Sequence, residues 1–313
     1  MKVLHLTNAY PTVNKSYFGI FVKNQVDCLM RKGISISVKE IGRFFGGYRK
    51  VFFIRKEVDS ADLIHCHFGH VGTICLPWRF LKHKPVVVSY CGSDILGNRG
   101  MKQVFFSRIN SFFSRFPDCA IVMSSEMAAK IKARKKKIIP YGTNTELFKE
   151  IDISHARNMI GLKDYKGALV LFLGEKRVPV KNFCLFSKSL AHLNIEFKYL
   201  VLEDIPYAEV PYYMNAADVC VLTSHYEGSP NVIKEAMSCN RPIVSVDVGD
   251  VRGFLDGLRG CFIVDRDHRQ IADAIKKAME FRKTDARQRI FELGFDLDAT
   301  AEKIVKVYRE IYN

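Results

Sequence analysis

Ser224-His225-Tyr226-Glu227-Gly228-Ser229-Pro230-Asn231-Val232-Ile233-Lys234-Glu235-Ala236-Met237 is the stretch that decides the fold. It follows the apolar run Val219-Cys220-Val221-Leu222, which reads as a buried strand, and Pro230 after Gly228-Ser229 predicts a helix with that proline at its first position. The first amides of such a helix, at Asn231 and Val232, have no intrahelical acceptor and sit at the positive end of the helix dipole, so they favour an anion. Gly228 removes the side chain that would block a phosphate or a sugar. Glu235 shares the face of Asn231 and Val232, and helical side chains lean toward the N-terminus, so its carboxylate points back at the socket while Glu227 sits on the rim. A carboxylate beside a phosphate site is costly unless it serves something uncharged, and sugar hydroxyls meet that need. The alternative is that Glu235 only complements the helix dipole, an effect of about 0.3–1 kcal/mol.

The same grammar extends in both directions. Lys2–Thr7 reads as a first strand, followed by a loop through Asn8–Gly19 and a helix from Ile20 to Lys32 that stops at Gly33. Residues 34–41, 62–67, 85–90 and 119–123 read as further strands. A second series covers 168–173, 196–202, 219–222, 242–246 and 261–264, again interleaved with helical patterns. The expected fold class is therefore α/β, with two doubly wound, Rossmann-like domains, and 313 residues suffice for two separate cores.

Two glutamates with seven residues between them, bracketing Gly-Ser-Pro-Asn after a buried strand, resemble the Glu-x7-Glu signature of the retaining glycosyltransferases with the GT-B fold, family four, also called glycosyl transferases group 1. The resemblance implies that Glu227 lies against the donor sugar and Glu235 holds the nucleotide ribose, with Gly228, Ser229, Asn231 and Val232 also binding the donor. It also implies a linker entered at Ile138–Phe148 and a last helix, from about Asp298 to Tyr312, that returns to the first domain. The expected domains are then a basic acceptor-binding domain at 1–145, a nucleotide-sugar-binding domain at 146–296 and the returning helix at 297–313. Asn215-Ala-Ala-Asp218 and Val246-Asp-Val-Gly-Asp250 also resemble family segments.

In Gly174–Asn182 a strand end is followed by cations, and the ends of parallel strands are where open α/β sheets hold ligands. Fixed cations there stabilise the charge that grows on a departing nucleoside diphosphate. Lys176 or Arg177, together with Lys181, fits that role; the family spaces an Arg and a Lys five apart, and here Lys176 has the spacing while Arg177 is the arginine. The first domain offers Gly19 before its first helix, His67 at a strand end, and Tyr90-Cys91-Gly92-Ser93-Asp94. The resemblance makes Gly19, His67, Cys91, Ser93 and Asp94 acceptor-binding. Cys91 stands where the family often has a histidine, and His67 reads either as a substitute for it or as a hydrogen-bonded structural residue. Asp265-Arg266-Asp267 imitates a metal-binding Asp-x-Asp but reads as a turn, so neither metal nor cofactor is expected.

The net charge of +15 is uneven: residues 1–149 carry 25 Lys+Arg against 9 Asp+Glu, and the remainder is nearly neutral. Such asymmetry describes a partner, either nucleic acid or an anionic membrane surface. Arg99–Phe116 places Met101, Phe105, Ile109, Phe112 and Phe116 on one helical stripe flanked by Lys102, Arg108 and Arg115, which suits either the lipid headgroup layer or packing on a sheet. Phe106, off the stripe, favours exposure. The run Lys130–Lys137 reads as a solvated helix end and turn that adds to the same charge. Apolar runs are strand-sized, the chain enters its first strand without a signal-peptide pattern, and the nine cysteines form no Cys-x-x-Cys pair, so a cytoplasmic location, peripheral on the inner membrane face, is expected.

The functional expectation is transfer of a sugar from a nucleotide-sugar to a saccharide or lipid-linked saccharide, in cell-surface polysaccharide assembly. A dinucleotide-dependent dehydrogenase or epimerase would need Gly-x-Gly-x-x-Gly after the first strand, and Leu6–Pro11 has none. A catalytically weak surface-binding protein on the same frame is the other alternative. Nucleic-acid binding has charge alone in its favour.

Overall fold

The strand Val219–Leu222 is the middle of a five-stranded parallel sheet, in a computed structural model that describes residues 1–12, 17–42, 53–97 and 100–312. Part of the loop Asn8–Gly19, at 13–16, and Arg99 of the aromatic segment lie outside the described residues. The chain divides into two units, Met1–Gly142 with the segment from Leu297 onward, and Thr143–Asp296.

The first unit contains β1 (Lys2–Thr7), β2 (Ser35–Glu40), β3 (Leu63–His67), β4 (Val86–Ser89), β5 (Cys119–Val122) and β6 (Lys136–Ile138), in the order β2-β1-β3-β4-β5-β6. The second contains β7 (Ala168–Phe172), β8 (Phe197–Val201), β9 (Val219–Leu222), β10 (Ile243–Val246) and β11 (Cys261–Val264), in the order β11-β10-β9-β7-β8. All pairings are parallel. Each unit starts in the interior of its sheet, builds outward one way, then crosses back and builds the other way, the doubly wound pattern. Strands β3, β4, β5, β9 and β10 are buried along their whole length, as parallel strands covered by helices on both faces must be. The fold is α/β of the GT-B type.

Most strand ends differ from the sequence reading by a residue or so, and β1, β9 and β11 coincide with it. One strand was not foreseen. The lysine-rich run read as a solvated helix end and turn does begin at a helix end, that of Ser125–Lys130, but its last residues pair with β5 as β6. An edge strand tolerates lysines because its outer side is solvated, and they discourage pairing with another chain. The returning helix, Leu297–Tyr312, packs on helix Ile20–Arg31 within the first unit, where Lys32 pairs with Glu302 and Lys135 and Lys137 pair with Glu310. Among the described residues, no helix is long and apolar enough to cross a membrane. All nine cysteines are free.

Candidate functional site

In the second unit β7 has β8 on one side and β9 on the other, so the chain leaves these neighbouring strand ends in opposite directions and opens a crevice between them. The loop after β7 makes a 3-10 turn at Pro179–Lys181, and the loop after β9 is Thr223–Pro230. They are stitched together: Thr223 Oγ1 donates toward the carbonyls of Lys181 and Asn182 at 3.1 Å each, and the His225 amide donates to the Val180 carbonyl at 2.8 Å. The result is an ion pair of Lys181 Nζ with Glu227 Oε1 at 2.8 Å, and Ser224 Oγ donates to the same oxygen at 2.7 Å. Two glycines make room. A Cβ on Gly174 would come within 2.8 Å of Lys181 Cγ, and a Cβ on Gly249, whose φ is +56°, would come within 2.6 Å of the Gly228 carbonyl oxygen.

The helix after this loop runs from Asn231 to Ser238, and Pro230 occupies its N-cap in extended conformation, one residue earlier than expected. The first amide with a local acceptor is Ile233 N, bonded to Pro230 O at 3.2 Å, which leaves Asn231 and Val232 as the outward-directed terminus. Asn231 Oδ1 is buried without a hydrogen-bond partner. Glu235 points back along the helix and accepts from Tyr207 Oη at 3.2 Å. Burial pushes its carboxyl up to about 7, against the pull of Tyr207, Lys234 and Lys181. By exposed area Glu235 is only half-buried, yet protein surrounds the carboxyl closely enough for desolvation to dominate. Beneath it the fully buried Lys234 is lowered by desolvation and the Asp250 carboxyl raised, each opposed by the other's charge. Two carboxylates, a lysine and a helix N-terminus thus converge on one strand-end crevice, an arrangement suited to an anion joined to a polyol.

The other cations lie elsewhere. Arg177 is held by Glu175 and Asp204, each at 2.8 Å, and Lys176 Nζ stands 5.2 Å from the centroids of both Phe183 and Tyr199. Lys181 alone of the three is paired with Glu227. Ser229 is half-buried beside Asp250, and Gly228 is buried under Gly249. Asp267 caps helix His268–Met279 by accepting from the amides of Arg269 and Gln270 at 2.9 Å. A pocket lined by Glu150, Arg157, Asn215, Asp218 and Arg241 lies at the opposite, N-terminal edge of the same sheet, where the Arg157–Asp218 ion pair closes it.

In the first unit, Gly19 caps helix Ile20–Arg31 with φ +73°, and a Cβ there would meet the Ala9 carbonyl oxygen at 2.2 Å, so glycine is required for close chain approach. Ser93 is exposed. Asp94 accepts from the amides of Gly69, Cys91 and Gly92 at 2.8–3.0 Å, tying the loops after β3 and β4 together. Burial raises its carboxyl, opposed by these amides.

His67 does not face a ligand edge. It is fully buried, because β3 is an inner strand covered on both faces. Its Nε2 lies 2.9 Å from His5 Nδ1 and its Nδ1 lies 2.9 Å from Tyr141 Oη, whose hydroxyl is 3.3 Å from Cys91 Sγ. The chain of contacts continues from His5 Nε2 to Tyr308 Oη, then His65 Nδ1, and from His65 Nε2 to Ser89 Oγ. The nitrogens of His5, His65 and His67 are close enough together to ligate one metal ion. Every one of them already has a hydrogen-bond partner, however, and no carboxylate stands among these partners to offset a divalent charge. Seven groups in series with neutral imidazoles satisfy one another completely. Cys91 therefore meets His67 only through Tyr141.

Sequence reasoning missed Tyr207, Ser224, Gly249 and Asp250 as parts of the site. Ser224 was inside the decisive stretch and Gly249-Asp250 inside a segment that resembled the family. Tyr207, 28 residues before its glutamate, carried no local signal.

Two doubly wound units with this loop pair at the second switch point have the architecture of the GT-B glycosyltransferases, and solved structures of that fold match along the whole chain. A sucrose-phosphate synthase from Thermosynechococcus elongatus superimposes with a TM-score of 0.82 at 18% identity, covering 100% of this chain and 99% of the other. The Anabaena protein HepE, solved with UDP and with UDP-glucose, gives 0.75 at 18% identity over 99% of this chain and 100% of its own. Residues 186–280, which include the decisive stretch, match the domain family described as glycosyl transferases group 1. By name, a teichuronic acid biosynthesis glycosyltransferase of Bacillus subtilis is 22% identical over 88% of this chain and 89% of its own, and an uncharacterized glycosyltransferase of Methanocaldococcus jannaschii is 24% identical over 82% and 77%.

Proposed function

We propose that the protein is a retaining glycosyltransferase of the Glu-x7-Glu type, moving a sugar from a nucleotide-sugar to a saccharide or lipid-linked saccharide in cell-surface polysaccharide assembly. The observation that carries this reading is the crevice itself: the Asn231–Val232 amide terminus, the Lys181–Glu227 pair and the Tyr207–Glu235 pair occupy the switch point of one sheet. The diphosphate rests on the amides of Asn231 and Val232 beside Ser229, and Lys181 offsets the charge that grows on it as the anomeric C–O bond breaks. Glu235 accepts from the ribose hydroxyls and Glu227 from the donor sugar hydroxyls, with Gly228 giving the sugar room. The new C–O bond forms on the face the leaving group departs, and the acceptor proton passes to the departing phosphate oxygen. Positioning and electrostatics then supply the acceleration, and no cofactor or metal ion is required.

Arg177 and Lys176 join this site only if the loop after β7 rearranges around a bound donor. Gly19, Cys91, Ser93 and Asp94 belong to the acceptor side, Asp94 as the residue that sets the loop and Ser93 as the exposed hydroxyl. The names of the Anabaena complexes make a uridine nucleotide the first donor to test, and the name of the Bacillus relative supports a polysaccharide of the teichuronic acid kind as product. Purified protein given UDP-, GDP- and ADP-sugars should release nucleoside diphosphate from one of them. Glu227→Gln and Lys181→Ala should each lower kcat by about 10²–10³ with an unchanged Tm. Product with the donor's anomeric configuration, read by proton NMR, supports retention. Inverted product, or full turnover in both variants, overturns the reading.

A further inference from the structure

The helix Met101–Phe113 is built inside out. The side that meets the protein carries Asn110, Ser111 and Ser114, and Asn110 is the one helix residue that is buried. Asn110 Nδ2 donates to the Asp94 carbonyl at 3.0 Å, Ser111 Oγ donates to the Lys130 carbonyl at 2.6 Å, and Ser114 Oγ accepts from the Lys132 amide at 2.7 Å. These polar anchors hold the helix while most of its apolar stripe faces water: Met101 is 90% exposed, Phe105 61% and Phe112 45%, with Ile109 and Phe116 half-buried. Of the two readings of this stripe, exposure fits Met101, Phe105 and Phe112 and packing on a sheet does not.

The aromatic face continues onto the end of helix Gly69–Lys82, where Phe80 and Leu81 are exposed and the Phe80 ring meets Phe116 edge to face. Phe112 in turn touches Phe113 and Phe116. Lys102 and Arg108 are exposed beside this face, the Arg115 guanidinium lies 4.0 Å from the centroid of the Phe112 ring, and Lys132 and Arg134 are exposed on the adjoining segment. From residue 95 to 117 there is no acidic residue, and the first unit carries 27 Lys+Arg against 11 Asp+Glu.

We propose that this face, centred on Phe105, Phe106 and Phe112, docks on an anionic lipid bilayer, with the helix lying in the headgroup plane and its cations on lipid phosphates. An exposed aromatic stripe of this size needs an apolar environment, and basic flanks select a negatively charged one. A second copy would bring the same cations face to face. Nucleic acid fits less well, because the Phe80, Phe112, Phe113 and Phe116 rings contact one another. The inference does not depend on the proposed sugar transfer.

The test is cosedimentation of the full chain with vesicles of phosphatidylcholine alone and with phosphatidylglycerol added, at low and high salt. Wild type should sediment with the phosphatidylglycerol vesicles and be released by salt. Phe105→Ser with Phe112→Ser, and separately Lys102→Glu with Arg108→Glu, should each reduce that binding by about tenfold or more with Tm unchanged. These substitutions are at exposed positions, and two independent pairs guard against one misfolding. The proposal is overturned if wild type ignores anionic vesicles or if neither pair weakens binding. It is equally overturned if light scattering shows a dimer that the phenylalanine pair dissociates, or if an oligonucleotide, but no vesicle, is retained at the same salt.

Discussion

Glu235 is held close to its protonation midpoint at neutral pH, since burial pushes it up to about 7. It can accept from both ribose hydroxyls only when ionised, so nucleotide affinity should fall as pH drops below about 7. The stability consequence has the opposite sense. A carboxyl whose folded value lies above its ordinary one contributes a cost that appears as pH rises from the usual glutamate range through about 7. Glu235→Gln should therefore leave Tm at pH 8 equal or higher while nucleoside diphosphate affinity, measured by calorimetry, falls and loses its pH dependence. A lower Tm with intact affinity would make Glu235 a structural residue. Both glutamates were legible because strand, glycine and helix lie within fifteen residues, where local geometry alone aims the side chains. The choice among Lys176, Arg177 and Lys181 was not, because it depends on the turn before Asn182, a non-glycine residue at φ +55°, and on the anionic side chains of Glu175 in the same loop and Asp204 from another.

Elements were readable to the extent that burial and pattern agreed. The inner strands β9 (Val-Cys-Val-Leu) and β10 (Ile-Val-Ser-Val) are short, mostly apolar runs rich in β-branched residues and were evident. Strand β6 was hidden because an edge strand needs only one satisfied side, so its lysines carry no alternation. The helix Met101–Phe113 showed its aromatic stripe plainly, yet a stripe says nothing of which side is inward; the serines opposite it held that answer. Of the two readings of His67, the hydrogen-bonded structural one matches its burial; its place at a strand end does not expose it, because β3 is an inner strand. Loop packing gives a further test. Gly249 combines a left-handed backbone with contact against the Gly228 carbonyl, so Gly249→Ala should displace the loop bearing Glu227. The expected cost is about 1–3 kcal/mol of stability, read by chemical denaturation, with a loss of transfer activity larger than that cost explains. Unchanged stability and activity would show that the contact does not set the loop.

At the scale of the molecule the two units should respond to acid in opposite ways. His5 is lowered to about 3 and His65 and His67 are lowered also, all by burial. A base whose folded value is depressed contributes stability that is whole above its ordinary value near 6.5 and is lost as pH falls below it, about 1.4 kcal/mol per imidazole per pH unit. Glu235 and Asp250 in the second unit are relieved over part of the same range. Hydrogen-exchange protection factors, with the intrinsic pH dependence of exchange divided out, should thus fall in β1 and β3 at pH 5 relative to pH 7.5 while those of β7 and β9 hold or rise; the reverse order would contradict this assignment of buried charge. The charge asymmetry of the two units was countable from composition, but its meaning waited on the exposed helix. The central claim concerns the second unit, and a crystal structure with a nucleoside diphosphate-sugar bound tests it most directly. The account predicts the diphosphate within hydrogen-bond distance of the Asn231 and Val232 amides and Lys181, the ribose on Glu235 and the sugar on Glu227. A nucleotide seated elsewhere, with both glutamates untouched, would contradict it.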